Sequence, residues 1–316
     1  MISLRQLKSF VAVYETGSFT AAAEREGATQ SGMSQHIKQL ETELSVTLLE
    51  RDGREVTPTP AGTLYYKECL EVLRRLDTAR QSVAGNFVGG AIRIGLMPTF
   101  TRSLLAPALD KFLASAPGAE INVIEAYSGV LTEMTQKGEL DFAVVPAFAG
   151  ATGVSHRLLA RDREMLVRAK RQHRGHLKPV RLSELGPLKV VLPGKQNTRR
   201  HTIETYFSTN GVAVAQRLDL DAMMGTLQFV AAGDWVAVLP FIMMLADLDG
   251  GHFEIRPLDD PPFYSEFVLI EPARKVLSPA AALFARLLEA EARQAELIFR
   301  KRVAGKTVDG RGKGRG

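Results

Sequence analysis

Hydrophobic and polar positions follow two different patterns along the chain. Up to about residue 83, apolar residues recur every three or four positions, which predicts helices. From Ala91 onward, short apolar runs alternate with helical patterns, which predicts strands and helices in turn. Residues 85–90 contain three glycines and separate the two patterns. We therefore expect a helical N-terminal part, a hinge and a separate C-terminal domain.

Residues 18–41 predict two short helices joined by a turn at Gly27. Ser18 and Thr29 are suitable N-caps for these helices, and the methyl groups of residues 21–23 allow close approach of the two helices. The second helix has a buried face with apolar residues four, three and four positions apart: Met33, Ile37, Leu40 and Leu44. This pattern predicts a helix-turn-helix.

The opposite face of the second helix carries polar side chains: Ser31, Ser34, Gln35 and Lys38. Glutamine presents a paired donor and acceptor to adenine, serine can bond several base edges, and lysine reaches phosphate or guanine. An ordinary solvated face of an amphipathic helix is the alternative interpretation. An alanine-rich first helix, a glycine turn and these side chains occur together, as entry into the major groove of duplex DNA requires. This combination favours DNA binding.

The N-terminal residues resemble the LysR-type transcriptional regulators. The matching residues are Leu4, Gln6, Leu7, Phe10, Ala12 and Val13, and the segments 17–24, 29–41, 48–51 and 59–62. In that family a wing follows, and residues 51–57 fit one, with an Asp-Gly turn between basic residues. The family usually has proline where Ser31 stands and often a basic residue where Gln35 stands. The residues expected to contact DNA are Ser18, Thr20, Thr29, Gln30, Ser31, Ser34, Gln35, Lys38, Arg51 and Arg54.

The positive charge of the chain is concentrated in its last residues. Residues 1–90 carry 10 basic and 11 acidic side chains, whereas residues 300–316 carry 7 basic side chains and one acidic one. DNA affinity must therefore come from a few local cations and from several copies of the domain, which predicts an oligomer. Residues 301–316 are expected to be a disordered basic tail, either a solubilising end or an arm that touches DNA nonspecifically.

A long helix is predicted after the expected winged helix-turn-helix domain of residues 1–58. Thr59 is a cap followed by Pro60 at the first helical position, and the helical pattern continues to about Val83. The seam of this helix resembles a short coiled coil: Tyr66, Cys69, Leu73, Leu76 and Val83. Packing on its own domain is an alternative to pairing with a second chain. We favour pairing, so residues 59–90 are expected to be a linker and dimerisation helix with a hinge.

The C-terminal part predicts two lobes, each with β-α-β-α-β order and a parallel sheet. The first lobe is expected at about 91–162 and 270–300, and the second at about 163–269, with strands near Glu164–Ala169 and Phe263–Ile270 connecting them. Residues 138–145 and 230–240 resemble the effector-binding domain of the family, which is similar to periplasmic solute-binding proteins. The predicted fold is α+β multidomain: an all-α winged helix-turn-helix with a linker helix, followed by a two-lobed α/β effector-binding domain.

A small-molecule site is expected where strand ends and helix N-termini of the two lobes face each other. The residues expected to bind the effector are Pro98, Thr99, Phe100, Thr101, Ser128, Gly129, Phe148, Asn197, Thr198 and Met223. Taken singly, the hydroxyl and amide side chains in this set are also ordinary N-caps. Helix dipoles and the nearby Arg199 and Arg200 favour an anionic, carboxylate-bearing effector, with Phe100, Phe148 and Met223 as apolar walls.

The sequence contains no recognisable catalytic motif. The segment at Gly194 lacks the earlier glycine of a phosphate-binding loop, and His173 and His176 lie in a basic run without a third metal ligand. Cys69 is the only cysteine, so an internal disulfide or a cysteine-based metal cluster is excluded. We therefore expect no enzyme activity, no cofactor and no metal. The absence of a signal peptide and of an 18-residue apolar run predicts a cytoplasmic protein without a membrane partner.

The resemblance implies how such a regulator works. Paired domains hold the two halves of an interrupted inverted repeat in double-stranded DNA, and the chains form a homodimer through the linker helix and a homotetramer through the effector domains. A small-molecule effector changes this arrangement, and contact with RNA polymerase is a further expectation. A two-lobed solute-binding or enzymatic domain, with N-terminal helices used only for dimerisation, is the alternative.

Overall fold

The computed structural model describes residues 1–52, 55–84, 90–148, 152–170, 175–194 and 197–304. The N-terminal domain contains α1 (Leu4–Thr16), α2 (Phe19–Glu26), α3 (Gln30–Leu44), β1 (Leu49–Asp52), β2 (Glu55–Pro58) and α4 (Pro60–Ala84). The antiparallel pair β1 and β2 forms the predicted wing, although Arg54 and the tip of the turn lie outside the described residues. This domain therefore has the predicted order of helix-turn-helix, wing and long helix.

Local capping explains where the short helices begin and end. The Ser18 Oγ accepts from the Ala21 N–H at 3.3 Å, and the Thr29 Oγ1 accepts from the Gly32 N–H at 3.2 Å. Gly27 ends α2 at φ 63°, a left-handed conformation that glycine adopts without strain. The turn and both N-caps therefore agree with the sequence prediction.

Helix α4 packs on its own domain through the residues expected to form a coiled-coil seam. Tyr66, Cys69 and Leu73 are buried in one apolar cluster with residues of α1, α2 and α3. The interpretation of these three residues as a seam between chains is therefore wrong: the domain needs them to complete a small core. Val83 has no described side-chain environment, and Leu76 is 41 % exposed.

One close approach fixes α4 against the wing. A Cβ added to Gly62 would lie 2.0 Å from the carbonyl oxygen of Leu48, just before β1. Thr59 lies next to the same contact, and its Oγ1 donates to the Thr47 carbonyl at 2.8 Å and accepts from the Gly62 N–H at 2.9 Å. Only glycine allows the first turn of α4 to lie this close to the backbone.

The C-terminal domain forms two lobes around one continuous sheet. Its strands are β3 (Gly90–Leu96), β4 (Ala119–Glu125), β5 (Phe142–Pro146), β6 (Val154–Ala169), β7 (Leu188–Leu192), β8 (Val214–Asp219), β9 (Val236–Pro240), β10 (Phe253–Pro257) and β11 (Tyr264–Pro272). Its helices are α5 (Pro98–Thr101), α6 (Leu105–Ser115), α7 (Ser128–Gln136), α8 (Thr198–Thr209), α9 (Met223–Ala232) and α10 (Pro279–Phe299). The strand order is β4-β3-β5-β11-β6-β9-β7-β8, and β10 pairs with β6.

Strand β6 belongs to both lobes. Its first part pairs with β11, whereas its part from Glu164 onward pairs with β9, and β10 pairs with Met165–Ala169. The polypeptide therefore crosses between lobes at Arg163 and Glu164. The predicted strand began only at Glu164, because the earlier residues of β6 are largely polar and one of the few apolar ones, Leu158, is 60 % exposed.

Two further elements differ from the prediction. The apolar pattern predicts one helix from Thr99 to Leu113, but the chain forms α5 and α6, because the ring of Pro107 clashes with the carbonyl group four residues earlier in a continuous helix. Arg102 at the break donates to the Asp247 carboxylate at 2.8 Å. Strand β10 was not predicted. Helix α10 covers the first lobe as expected, and Phe284 packs edge-on against Phe112 there with 5.3 Å between ring centroids.

The N-terminal domain contacts the first lobe directly. The Tyr66 hydroxyl donates to Glu15 Oε1 at 2.9 Å and accepts from the Gly153 N–H, just before β6, at 3.1 Å. Arg274, two residues after β11, donates to Glu26 at 2.9 Å. The two strands that pass between the lobes therefore have their other ends at the N-terminal domain. We call this contact the junction. Within the described parts of the chain, no helix is long and apolar enough to cross a membrane.

Candidate DNA-binding face and effector cleft

The polar face of α3 is open to solvent. Gln30, Ser31, Gln35 and Lys38 are exposed and Ser34 is partly exposed, whereas Met33, Ile37 and Leu40 on the other face are at most 1 % exposed. Further polar contacts lie along α3, where Ser9 Oγ and His36 Nδ1 are 2.8 Å apart. The helix is therefore held firmly by one face and presents the predicted residues on the other.

Arg51 of β1 lies against α3. Its Nη2 donates to Ser34 Oγ at 3.0 Å, and its guanidinium stands 4.1 Å from the ring centroid of Phe19. One lone pair of the Ser34 hydroxyl is therefore occupied, and its proton remains available to an acceptor on a base edge. Arg51 retains other N–H groups for phosphate, while Arg54 lies outside the described residues.

The other predicted DNA contacts occupy the edge of the same face. Thr20 and Thr29 are exposed, and Ser18 is partly exposed with its oxygen engaged as the cap of α2. The Thr29 hydroxyl also lies 3.3 Å from Ser31 Oγ. The Ser18 and Thr29 hydroxyls are therefore tied to helix ends, while Thr20, Gln35 and Lys38 show no such restraint among the described residues.

The cleft between the lobes is nearly closed. It leaves a cavity of about 20 Å³, room for a water molecule rather than a metabolite. Four predicted residues line it: Pro98, Thr99, Asn197 and Met223. Among the lining residues that were not predicted are Met97, Tyr127, Leu220, Thr226 and Leu239. Most of these follow the ends of strands, so the rule that ligands bind at carboxyl ends of parallel strands would have found them.

Two helix N-termini at the cleft lack a side-chain cap. Helix α7 has Tyr127 at its N-cap and α9 has Ala222, and neither side chain bonds the helix. Ser128 is the first residue of α7, is 6 % exposed, and its Oγ has no hydrogen-bond partner in the described structure. A buried hydroxyl without a partner costs about 1–3 kcal/mol. The N-cap interpretation of Ser128 is therefore wrong, whereas Asn197 does cap α8, accepting from the Arg199 N–H at 3.1 Å.

The arginines expected to attract an anion are neutralised. Nη2 of the buried Arg199 lies 2.7 and 2.8 Å from the two carboxylate oxygens of Glu164. Arg200 lies 2.6 Å from Asp219 and 2.9 Å from Glu204. Because these charges are compensated within the protein, an anion in the cleft would depend on neutral donors and helix N-termini.

A second buried carboxylate lies where the chain crosses between lobes. Asp162 accepts from the Ile242 N–H at 2.7 Å, and burial, reinforced by the charge of Glu164, raises its pKa to about 8. Burial, followed by the negative charges of Asp221 and Glu125, also raises the pKa of Tyr127. Both groups are therefore in their uncharged form at neutral pH.

The remaining predicted effector residues lie elsewhere. Phe100 is fully buried in the core of the first lobe, 5.1 Å from the Phe267 ring centroid, so its assignment as a cleft wall is wrong. Phe148 packs beside the first-lobe core with its ring 6.2 Å from His156. The Thr101 hydroxyl donates to Glu125. Gly129 and Thr198 are exposed at the N-termini of α7 and α8.

Comparison with known proteins identifies the family. The model for bacterial regulatory helix-turn-helix proteins of the lysR family matches residues 4–63, and the LysR substrate binding domain matches residues 86–293. Since these matches cover most of the chain, it belongs to the LysR family of transcriptional regulators. The predicted resemblance and fold class are confirmed, and the chain is a regulator rather than an enzyme.

Individual relatives agree with this assignment. The chain is 29 % identical over 290 residues to the nitrogen assimilation regulatory protein nac of Escherichia coli (strain K12), covering 91 % of this chain and 94 % of the relative. It is 28 % identical over 251 residues to the transcriptional regulator BenM of Acinetobacter baylyi, covering 76 % of this chain and 80 % of BenM.

Solved structures show the same fold. The crystal structure of full-length BenM has a TM-score of 0.55 at 25 % identity and covers 92 % of this chain and 97 % of that one. Full-length CbnR complexed with its target DNA has a TM-score of 0.53 at 22 % identity, covering 92 % of this chain and 99 % of CbnR. At that identity the likeness to CbnR concerns the fold alone.

Proposed function

We propose that this regulator binds specific sites in double-stranded DNA through the exposed face of α3 and responds to a small anionic effector in the interlobe cleft. The observation that carries the proposal is an open, uncompensated polar face on α3 together with a closed cleft, beside which α7 begins with the unpartnered buried hydroxyl of Ser128, next to the lining residue Tyr127. CbnR, which shares the fold, has been solved with its target DNA.

DNA recognition is assigned to three residues of α3. Gln35 and Lys38 extend freely from the groove-facing side, and Ser34 offers its hydroxyl proton because Arg51 occupies one of its lone pairs. Arg51 and the wing lie beside this face, where they suit contacts to the phosphate backbone. The site is an interrupted inverted repeat, since each chain carries one such face and a dimer carries two related by symmetry.

The effector is assigned to the space among Thr99, Tyr127, Asn197 and Thr226. The uncapped N-termini of α7 and α9 provide backbone N–H groups and the positive ends of helix dipoles. A carboxylate matches these donors, and Ser128 can supply a hydroxyl at the start of α7. Because the cavity of the closed form admits only water, the lobes must separate for the effector to enter.

Pairing of chains is assigned to the exposed face of α4. Leu64 and Val72 are 66 % and 45 % exposed, and they lie on a side of the helix that the domain core does not use. A second α4 would cover these leucine and valine side chains. The homodimer therefore forms through a different set of α4 residues from the predicted seam, and effector domains join two dimers into a tetramer.

The junction provides a physical connection between the two sites. Strands β6 and β11 run from the crossing between lobes, at Glu164 in β6, to Gly153 and Arg274, which contact the N-terminal domain. An effector that prefers one lobe arrangement would therefore shift the position of the N-terminal domain and alter DNA bending and polymerase recruitment.

A DNA titration of the full chain tests the proposed function. Fragments from the promoter region next to the coding sequence and shuffled fragments would be compared across a salt series, with and without small carboxylates found by thermal-shift screening. We expect preferential binding of the promoter fragment, a steep logarithmic salt dependence and a change in affinity or footprint with the effector. Equal affinity for shuffled DNA at all salt concentrations would disprove sequence-specific binding.

A further inference from the structure

A second cavity lies at the junction between the N-terminal domain and the first lobe. Its volume is about 260 Å³, and its walls come from α1, α4, the end of α7 and the segment after β11. None of its lining residues also lines the interlobe cleft. The cavity is therefore a separate space that depends on contact between the two domains.

The lining of this cavity is strongly basic. Five cationic side chains face two carboxylates: Lys8, Arg80, Lys137, Arg274 and Lys275 against Glu26 and Asp77. Glu26 is bound by Arg274 at 2.9 Å, and Asp77 accepts from the Val276 N–H at 3.0 Å. The carboxylates of the wall therefore already have partners, and an excess of positive charge remains.

Three of the cations lack a counter-charge. Lys8, Arg80 and Lys275 come from three different segments, and in the described part of the chain none of them forms an ion pair. The Lys275 Nζ lies against Gly138, 3.4 Å from the position of a Cβ there. Like charges gathered around one cavity repel each other, so an anion placed among them would be stabilised.

Apolar side chains form the rest of one wall. The buried stripe of α4 ends at Leu73, and the next positions of the stripe, Leu76 and Arg80, face the cavity instead of a packed partner. Leu4 of α1 is 38 % exposed on the same wall. A ligand with a short apolar part could cover Leu4 and Leu76, which favours an amphipathic organic anion over a bare inorganic one.

We propose that the junction cavity binds a small organic anion, with its carboxylate or phosphate oxygens among Lys8, Arg80 and Lys275 and its apolar part against Leu4, Leu73 and Leu76. This site is independent of the effector cleft. Because residues of both domains contribute, the anion stabilises the arrangement in which the N-terminal domain stays in contact with the first lobe.

Calorimetric titration of the full chain with hexanoate, hexyl phosphate, inorganic phosphate and hexanol tests the site. We expect hexanoate or hexyl phosphate to bind best, phosphate to bind more weakly and hexanol not to bind; the ranking of the first two identifies the preferred oxyanion. Arg80→Ala with Lys275→Ala should weaken binding about tenfold or more, since two charge-assisted contacts are lost. Lys67→Ala, at an exposed position of the same helix outside the cavity, should leave it unchanged.

Two further measurements distinguish this site from the cleft. First, Ser128→Ala should not affect hexanoate binding. Second, small-angle scattering should show a smaller average radius of gyration, or a narrower distribution of molecular sizes, when hexanoate is added to the wild type but not when it is added to the double alanine variant. The charge-preserving pair Arg80→Lys with Lys275→Arg should retain binding and controls for folding. No binding at about 20 mM of either organic anion, or binding lost in Ser128→Ala but kept in the double alanine variant, would overturn the proposal while leaving the proposed function intact.

Discussion

The polar groups of the α3 face are exposed and unpaired, whereas those of the interlobe cleft are buried and largely neutralised within the protein. On α3, Gln35 and Lys38 stand exposed and uncompensated on a helix whose other face is anchored in a core. In the cleft, Arg199 is buried and neutralised by Glu164, and the open donors are neutral groups at helix N-termini. A surface for a polyanion can leave its groups in water, whereas a cleft that closes must satisfy or neutralise the groups it buries.

The largest effect is expected from breaking the buried pair of the cleft. Glu164→Gln leaves Arg199 buried without a counter-charge, which should lower the free energy of unfolding by about 3–5 kcal/mol. Urea unfolding measures this change. Glu184→Gln removes an exposed partner of Arg181 and should have little effect. Equal stability of wild type and Glu164→Gln would mean that the pair is not neutralised as described.

On the α3 face, substitutions should change recognition rather than stability. Ser34→Ala with Gln35→Ala should reduce the difference in binding free energy between specific and nonspecific DNA by about 2–4 kcal/mol, because each lost base contact is worth about 1–3 kcal/mol. Gel-shift titration against specific and shuffled DNA measures this difference. Gln228→Ala, at an exposed position of α9, is the control. An unchanged difference in the double variant contradicts the assignment of α3.

A smaller effect is expected for the unpartnered hydroxyl of the cleft. Ser128→Ala removes an Oγ that bonds nothing in the closed form, so stability should stay the same or rise slightly, while effector affinity should fall about tenfold if that hydroxyl bonds the effector. Thermal-shift titration with the identified effector measures both quantities. Unaltered affinity would remove Ser128 from the effector site.

The smallest effect is a pH dependence of stability caused by Asp162, where the chain crosses between lobes. The folded pKa of Asp162, about 8, lies above its ordinary value, so the unfolded chain loses this proton first and stability falls as pH rises between about 4 and 8. Asp162→Asn removes this loss and keeps an acceptor for the Ile242 N–H. We expect the variant to gain about 1 kcal/mol relative to wild type between pH 6 and pH 7, measured by urea unfolding. Parallel profiles of unfolding free energy against pH for the wild type and Asp162→Asn would contradict the raised pKa of Asp162.

Local signals predicted most of the fold. Caps at Ser18, Thr29 and Asn197, and the turn at Gly27, depend on residues within one helical turn of each other, so the sequence alone defines them. The apolar run Leu188–Leu192 predicts a strand and the pattern Met223–Ala232 predicts a helix, and these bounds coincide with β7 and α9. Elements with one solvent-exposed face, such as the first part of β6, gave no clear apolar pattern and were missed.

The cleft was predicted less completely because its chemistry depends on distant residues. Nothing near Arg199 in the sequence shows that Glu164 neutralises it, since 35 positions separate them. Phe100 follows a strand end like the residues of the cleft, but the helix that carries it turns its ring into the core. The prediction that α4 pairs with a second chain through its seam was wrong because the spacing of the apolar residues suits a partner helix and the helix's own domain equally well.

The contact of Gly62 with the Leu48 carbonyl has a geometric consequence for DNA spacing. It joins α4 to the wing as one rigid body, and a helix of 25 residues is about 37 Å long. A rotation of about 5° at the far end of α4 would therefore move the wing by about 3 Å, close to the rise of one base pair. In the dimer proposed above, a small change of angle would thus be enough to bring the two recognition helices in or out of register with their half-sites.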